Sequence, residues 1–307
     1  MLSPEYLNLS REVESAISSG KPVVALESTV IAHGLPRPDN FLVAQRIIQA
    51  VGEAGAVPAQ TAILNGELRV GLSSSELKLI AESDQIKKIS IRDLPIAVAA
   101  GWNGATTVAS TVWLACRAGI KVMATGGIGG VHHGPLVDVS ADLPELARTP
   151  IVVVCSGAKS VLNLPATREW LETNGVTVVG YQTSEMPAFY NRRSGVPVDV
   201  RIESPEQVAE LARAQSKLGL QVALLVTVPV PRAAEVSSAL LERLLDEATR
   251  AAERSRVRGR DLTPFLLSYM AQRSDGGTLR ANIALLENNA RVAAEIAKAL
   301  TSHQLQE

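Results

Sequence analysis

The chain predicts an α/β fold, with a mostly parallel central sheet covered by helices on both faces and a helical C-terminal portion. Three observations predict it. Short apolar runs of four or five residues, without polar alternation, recur between amphipathic stretches, as expected of strands buried on both faces. Hydrophobic residues make up 46% of the 307 residues and aromatic residues only 3%, so Val, Leu, Ile and Ala must fill the core. The last third loses its strand signals and turns helical. No repeat or low-complexity linker divides the chain, so residues 1–307 read as one α/β domain.

The elements follow in order. Pro22-Val23-Val24-Ala25-Leu26 is a buried strand ending at Glu27. Asp39-Asn40 caps a helix with Phe41, Ala44, Ile47, Ile48 and Val51 on its apolar face, and Gly52 or Gly55 stops it. Thr61-Ala62-Ile63-Leu64 runs into Asn65-Gly66, and residues 68–72 complete a hairpin. Residues 86–91 form a short strand before Arg92-Asp93-Leu94-Pro95. Residues 106–118 are helical and close at Gly119. Residues 121–124, 151–155, 176–179 and 222–226 are further buried strands. Ser204-Pro205-Glu206-Gln207 reads as a capping box with proline at the first helical position. Helices follow over residues 233–254, 264–272 and 279–300.

Several function classes are disfavoured. A formal net charge of -1 and the lack of a basic run argue against nucleic-acid binding through bulk electrostatics. No stretch approaches the roughly 18 apolar residues of a membrane span. Met1-Leu2-Ser3-Pro4-Glu5 does not open a signal-peptide pattern. Cys116 and Cys155 lie in apolar surroundings and read as reduced core thiols of a cytoplasmic protein.

Chemistry gathers where strands end in such folds. Lys159 stands in the turn Ser156-Gly157-Ala158-Lys159-Ser160, just past the strand of residues 151–155. An amine placed there can be desolvated, lose its proton near neutral pH and attack a carbonyl. Upstream, Asp138-Val139-Ser140-Ala141-Asp142 brackets a serine with two aspartates that can hold a cation or sugar hydroxyls. The run Thr125-Gly126-Gly127-Ile128-Gly129-Gly130-Val131-His132-His133-Gly134 follows a strand. It lacks the G-x-G-x-x-G spacing, and residues 156–160 lack the Walker pattern, so a nucleotide cofactor is disfavoured. Its backbone suits a single phosphate, with a tight positive-φ loop as the structural alternative. His132 and His133 are adjacent and make a poor chelate, although either could donate to a phosphate. Glu27 enters an apolar segment, where a carboxylate must be paired or functional. Lys88 reads, on composition alone, as a solvated strand end. Asn282 and Asn289 share an apolar helix face and need partners, from a ligand or from a neighbouring loop.

Together these segments resemble the pseudouridine-5'-phosphate glycosidase family, in order and over nearly the whole chain. The matches include Ala25-Leu26-Glu27-Ser28-Thr29-Val30-Ile31-Ala32-His33-Gly34, Lys88-Ile89-Ser90 with Arg92-Asp93-Leu94-Pro95, and Asn103-Gly104-Ala105-Thr106-Thr107-Val108. They continue through residues 125–132, 138–143, 154–160, 187–190, 263–267 and 281–285. The resemblance implies that Lys159 is the nucleophile and Glu27 the proton donor. It implies substrate contacts at Lys88, Val108, Ser140, Ala141 and Asp142, and Asp138 as ligand of a manganese ion replaceable by another divalent metal. Thr125, His132 and Asn282 are added as substrate contacts. The substrates implied are pseudouridine 5'-phosphate, ribose 5-phosphate and uracil, the assembly a homotrimer, and the pathway partner a pseudouridine kinase. Val228, Ile91, Gln182 and Met186 depart from the family pattern, and none of them is Glu27, Asp138 or Lys159.

The implied chemistry suits these residues. Ordinary glycosidases use paired carboxylates to protonate a departing oxygen, and a C-nucleoside has none at that bond. A lysine forming an iminium on the ring-opened sugar supplies an electron sink instead. Two rivals share the residues: an aldolase-like Schiff-base enzyme and a noncatalytic sugar-phosphate sensor.

Overall fold

The computed structural model describes residues 6–133, 138–257, 259 and 262–302. β1 (Leu7–Leu9) leads into α1 (Arg11–Ser18), where the Ser10 side chain accepts from the Val13 N–H. β2 (Val23–Leu26) is followed by a wide helical turn at Val30–Gly34 and by α2 (Asp39–Glu53). β3 (Val57–Leu64) and β4 (Glu67–Val70) form the expected hairpin. Then come α3 (Ser74–Glu82), β5 (Lys87–Ile89), α4 (Leu94–Ala99), β6 (Gly104–Thr106) and α5 (Val108–Arg117). β7 (Val122–Ala124), α6 (Asp142–Leu146), β8 (Val152–Cys155), α7 (Leu164–Thr173) and β9 (Thr177–Tyr181) continue the alternation. β10 (Val200–Ile202), α8 (Pro205–Lys217) and β11 (Leu224–Thr227) complete the sheet. The chain ends in α9 (Ser238–Arg254), α10 (Leu262–Arg273) and α11 (Gly277–Thr301).

The strand order is β1-β4-β3-β2-β7-β8-β11-β9-β10, with β6 pairing to β3 and β5 to β6. The run from β3 through β10 is parallel throughout, while β4 and β6 pair antiparallel with β3. Every residue of β2, β7, β8 and β11 is buried, which explains their unbroken apolar composition. α11 packs on β2, β7 and β8, and α5 packs on β2 and β7. Among the described residues, no helix is long and apolar enough to cross a membrane. Cys116 and Cys155 are both free thiols.

Several boundaries differ from the sequence reading for local reasons. The strand expected over residues 86–91 is shorter, because Ile91–Asp93 winds into a tight turn held by Ser90 and Asp93. The helix expected from residue 233 begins at Ser238, since Arg232–Ala234 forms its own turn. Gln207 closes no reciprocal box, because its side chain accepts from the Glu203 N–H at 2.8 Å rather than from Ser204. Asp39 is the first residue of α2 and makes no side-chain cap. Asp138 does not cap the helix after it, which starts at Asp142 with Ala141 in the capping position.

Candidate active site

Three neighbouring parallel strands deliver the central residues. β2 ends one residue before Glu27, β7 one residue before Thr125, and β8 just before the turn that carries Lys159. This is the carboxyl edge of the sheet, where α/β folds place ligands. Gly157 adopts φ +82 in that turn, and a Cβ there would lie 2.1 Å from the Pro187 carbonyl oxygen. Glycine is therefore required for the chain to bend toward the cleft.

The cleft has a volume of ≈ 540 Å³. It is lined by Glu27, Lys159, Lys88, Val108, His132, Asp138, Ser140, Ala141 and Asp142. A smaller cavity of ≈ 50 Å³ shares Glu27, Lys88 and Lys159 and adds His33, Phe189 and Asn282. Ten of the eleven residues singled out in the sequence border one of these two spaces.

Glu27 is only 5% exposed. Its Oε1 accepts from the Thr125 hydroxyl at 2.6 Å. Burial pushes its carboxyl above the usual carboxylate range, and the Asp142 charge adds to this. The Lys159 charge and the hydrogen bonds from Thr125 and the Val30 backbone oppose the shift without cancelling it. A carboxyl held this way retains its proton closer to neutrality, as a proton donor must. Gln60 donates to the Glu27 carbonyl oxygen and fixes the backbone beneath.

Thr125 borders neither cavity, because its hydroxyl is spent on Glu27. In this structure its hydroxyl holds the acid. The glycine-rich run is also a poorer phosphate cradle than its composition suggested. The N–H groups of Thr125, Ile128 and His132 donate to the carbonyls of Val154, Gly157 and Asp138. Those of Gly129 and Val131 donate to Asp142 and Thr167 side chains. These donors are consumed in fixing the loop.

Asp142 does structural work in the cleft wall. Its Oδ1 accepts from the Ala109 N–H at 2.9 Å and its Oδ2 from the Gly129 N–H at 2.8 Å. The carboxylate thus ties the first turn of α5 to the glycine run. A Cβ on Gly129 would lie 2.1 Å from the Ser140 hydroxyl, so this approach also needs glycine. Thr107 and Val108, at the start of α5, face the cleft beside Lys88. The Ala109 and Ser110 N–H groups of that turn are already taken by the Asp142 carboxylate and the Thr107 hydroxyl. Thr107, Ser90, Arg92 and Arg148 line the cleft and were not singled out from sequence. Thr107 carried a readable signal as an N-cap before an apolar run, while Arg148 carried none.

His132 is half-buried, and burial lowers its pKa although the nearby Asp138 charge opposes this. The shift favours the neutral imidazole, which can give one hydrogen bond. Asp138 is exposed at the cleft. Among the described residues no group of three His, Cys, Asp or Glu side chains converges. A lone exposed carboxylate fits a hard, largely hydrated divalent cation and not a closed chelate.

The two amides of α11 part ways. Asn289 bonds the neighbouring loops, donating to the Thr125 carbonyl at 2.9 Å. Asn282 lines the small cavity, and its Oδ1 is buried with no protein partner, as is Nε2 of His33. Of the four departures from the family pattern, Met186 and Val228 are buried in the core, Gln182 is exposed at φ 57, and Ile91 borders the cleft.

Fold and site define the class as an α/β enzyme with a charged cleft at the carboxyl ends of parallel strands. The chain belongs to the Indigoidine synthase A like protein family, whose model matches residues 12–299. It is 48% identical over 299 residues to pseudouridine-5'-phosphate glycosidase 2 of Photorhabdus laumondii, covering 96% of each chain. It is 48% identical over 294 residues to the pseudouridine-5'-phosphate glycosidase of Caldanaerobacter subterraneus, covering 95% of this chain and 96% of the other. Among solved structures, the prealnumycin C-glycosynthase AlnA in complex with ribulose 5-phosphate matches with a TM-score of 0.91 and 38% identity, over 99% of this chain and 100% of that one. The family that the motifs resembled is thus the family of the chain's relatives.

Proposed function

We propose that this protein is a cytoplasmic pseudouridine-5'-phosphate glycosidase. It interconverts pseudouridine 5'-phosphate and water with ribose 5-phosphate and uracil. One observation carries the reading: a buried carboxyl with a raised pKa and a lysine meet in one cleft, on strands flanking β7. The names of the relatives and the sugar phosphate bound to AlnA support the substrate class.

In the cleavage direction, the Lys159 amine bonds to the former anomeric carbon. The ring C–O bond breaks, and the ring oxygen takes a proton. The C–C bond to the base then breaks as the base carbon takes a proton, and the nitrogen lone pair forms the iminium. Glu27 moves these protons. Water hydrolyses the iminium, releases ribose 5-phosphate and restores Lys159. Asp138 would hold a divalent metal, manganese by resemblance, which supplies polarisation of a bound oxygen. A pseudouridine kinase would supply the substrate.

Free uracil from pseudouridine 5'-phosphate tests the reading. A sensor would bind and release its ligand unchanged, and an aldolase-like enzyme would yield no uracil.

The 5'-phosphate is assigned to Lys88. A charge-assisted contact to a dianion is worth roughly 2 kcal/mol. Lys88→Ala should therefore raise KM for pseudouridine 5'-phosphate by about 30-fold, with little change on unphosphorylated pseudouridine. Equal losses on both substrates would move Lys88 out of the phosphate site.

Asp138→Ala should lose most activity at saturating manganese while its melting temperature holds, because the side chain is exposed and caps no helix. Full activity in that variant, or after exhaustive chelation, rejects a metal role there. The homotrimer rests on the resemblance, and light scattering that gives a monomer at assay concentration refutes it.

A further inference from the structure

We infer that Asn289, which touches no substrate, is a positioning residue that sets Glu27 and Lys159 relative to one another. The inference rests on the roles proposed above for those two residues. Asn289 is fully buried on α11 among Leu285, Leu286, Ala290 and Ala293. An amide on an apolar helix face costs stability unless it is used. Its partners show the use. The side-chain amide donates to the Thr125 carbonyl at 2.9 Å and to the Ser156 hydroxyl at 3.1 Å, with a longer contact to the Gly126 carbonyl at 3.4 Å.

These partners are the first residues beyond β7 and β8. Thr125 aims its hydroxyl at Glu27 Oε1. Ser156 opens the turn that carries Lys159, and its N–H donates to the Gly126 carbonyl at 2.8 Å. One side chain therefore joins the residue that holds the acid to the turn that presents the amine. The rest of α11 is held to the sheet by apolar packing, which resists separation and tolerates small slides. Hydrogen bonds from one amide to both exits remove that freedom. Loss of the amide leaves Thr125 free to turn its hydroxyl away from Glu27, and displacement of reacting groups by a fraction of an ångström slows chemistry without weakening binding.

The test uses Asn289→Leu, which keeps the approximate volume and removes the donor without adding charge, Asn289→Ala, and Thr125→Val with Thr125→Ser as the conservative control. Two readouts are needed. The first is kcat and KM for uracil release. Both Asn289 variants should lose about tenfold or more in kcat with KM nearly unchanged. The double variant Asn289→Leu with Thr125→Val should lose little more than Thr125→Val alone, because both act through the Thr125–Glu27 hydrogen bond.

The second readout follows the Glu27 carboxyl in the resting enzyme by carbon NMR on glutamate-labelled protein, assigned by its disappearance in Glu27→Gln. The Thr125 hydrogen bond stabilises the carboxylate, so its loss should move the titration to higher pH in Asn289→Leu and Thr125→Val, with Thr125→Ser restoring it. An unshifted Glu27 titration in the folded Asn289 variants overturns the inference, as does a loss of kcat that simply tracks melting temperature. A wild-type enzyme that releases no uracil overturns the proposed function instead, and the titration still decides the role of Asn289.

Discussion

Lys159→Ala is expected to abolish uracil release, by about 10⁴-fold or more, as loss of a covalent nucleophile does elsewhere. The fold should survive, because Lys159 is half-buried at the strand edge and the β8 core behind it is untouched. Lys159→Arg is the sharper variant. Arginine keeps the positive charge beside Glu27 but stays protonated and cannot form an imine. Equal inactivity of both variants assigns the amine a covalent role. Substantial activity in Lys159→Arg would reduce it to an electrostatic one. Activity is measured as free uracil, and folding by circular dichroism and melting temperature.

Glu27→Gln is expected to lose about 10²–10⁴-fold in turnover, the span of a general acid–base contribution, and at the same time to stabilise the protein. The sign follows from burial. The folded-state pKa of Glu27 lies above its ordinary 4.5. Its protonated form is therefore favoured in the folded state relative to the unfolded chain. That contribution is fully present below the unfolded pKa and is lost as pH rises through the folded value. Glutamine carries no such loss and can still accept from Thr125. The variant should thus melt higher than wild type at neutral and mildly alkaline pH, with the gap closing toward pH 4.5. A constant gap at all pH values, or a less stable variant, would contradict the burial argument. Active-site groups that cost stability and return function show this opposition of stability and activity.

The sheet was legible because its strands are buried on both faces. Residues 22–26, 122–124, 151–155 and 222–226 read as unbroken apolar runs, and each overlaps an observed strand. Elements at the margin were not read. β1 and β10 have only three residues each, and β6 is Gly104-Ala105-Thr106, with no apolar run to announce it. α3 was missed despite a complete capping box at Ser73 and Glu76, since its short apolar face is weak. The site divides in the same way. Glu27 and Lys159 were visible as polar groups at the ends of apolar strands. Thr125 and Asp142 were visible as residues but not in their roles. A hydroxyl that holds an acid and a carboxylate that holds two backbone amides become apparent only when β7, α5 and the glycine run are in place. Arg148, two residues beyond the end of α6, enters the cleft by tertiary placement alone.

The central claim is that Lys159 bonds covalently to the sugar, and reductive trapping tests it most directly. Enzyme incubated with ribose 5-phosphate and borohydride should gain the mass of one reduced sugar phosphate per chain, and peptide mapping should place it on Lys159. Glu27→Gln should still take the label, and Lys159→Ala should not. Label on Lys88 or Lys21 would contradict the assignment of the nucleophile. Uracil release without any label would contradict the Schiff-base mechanism itself.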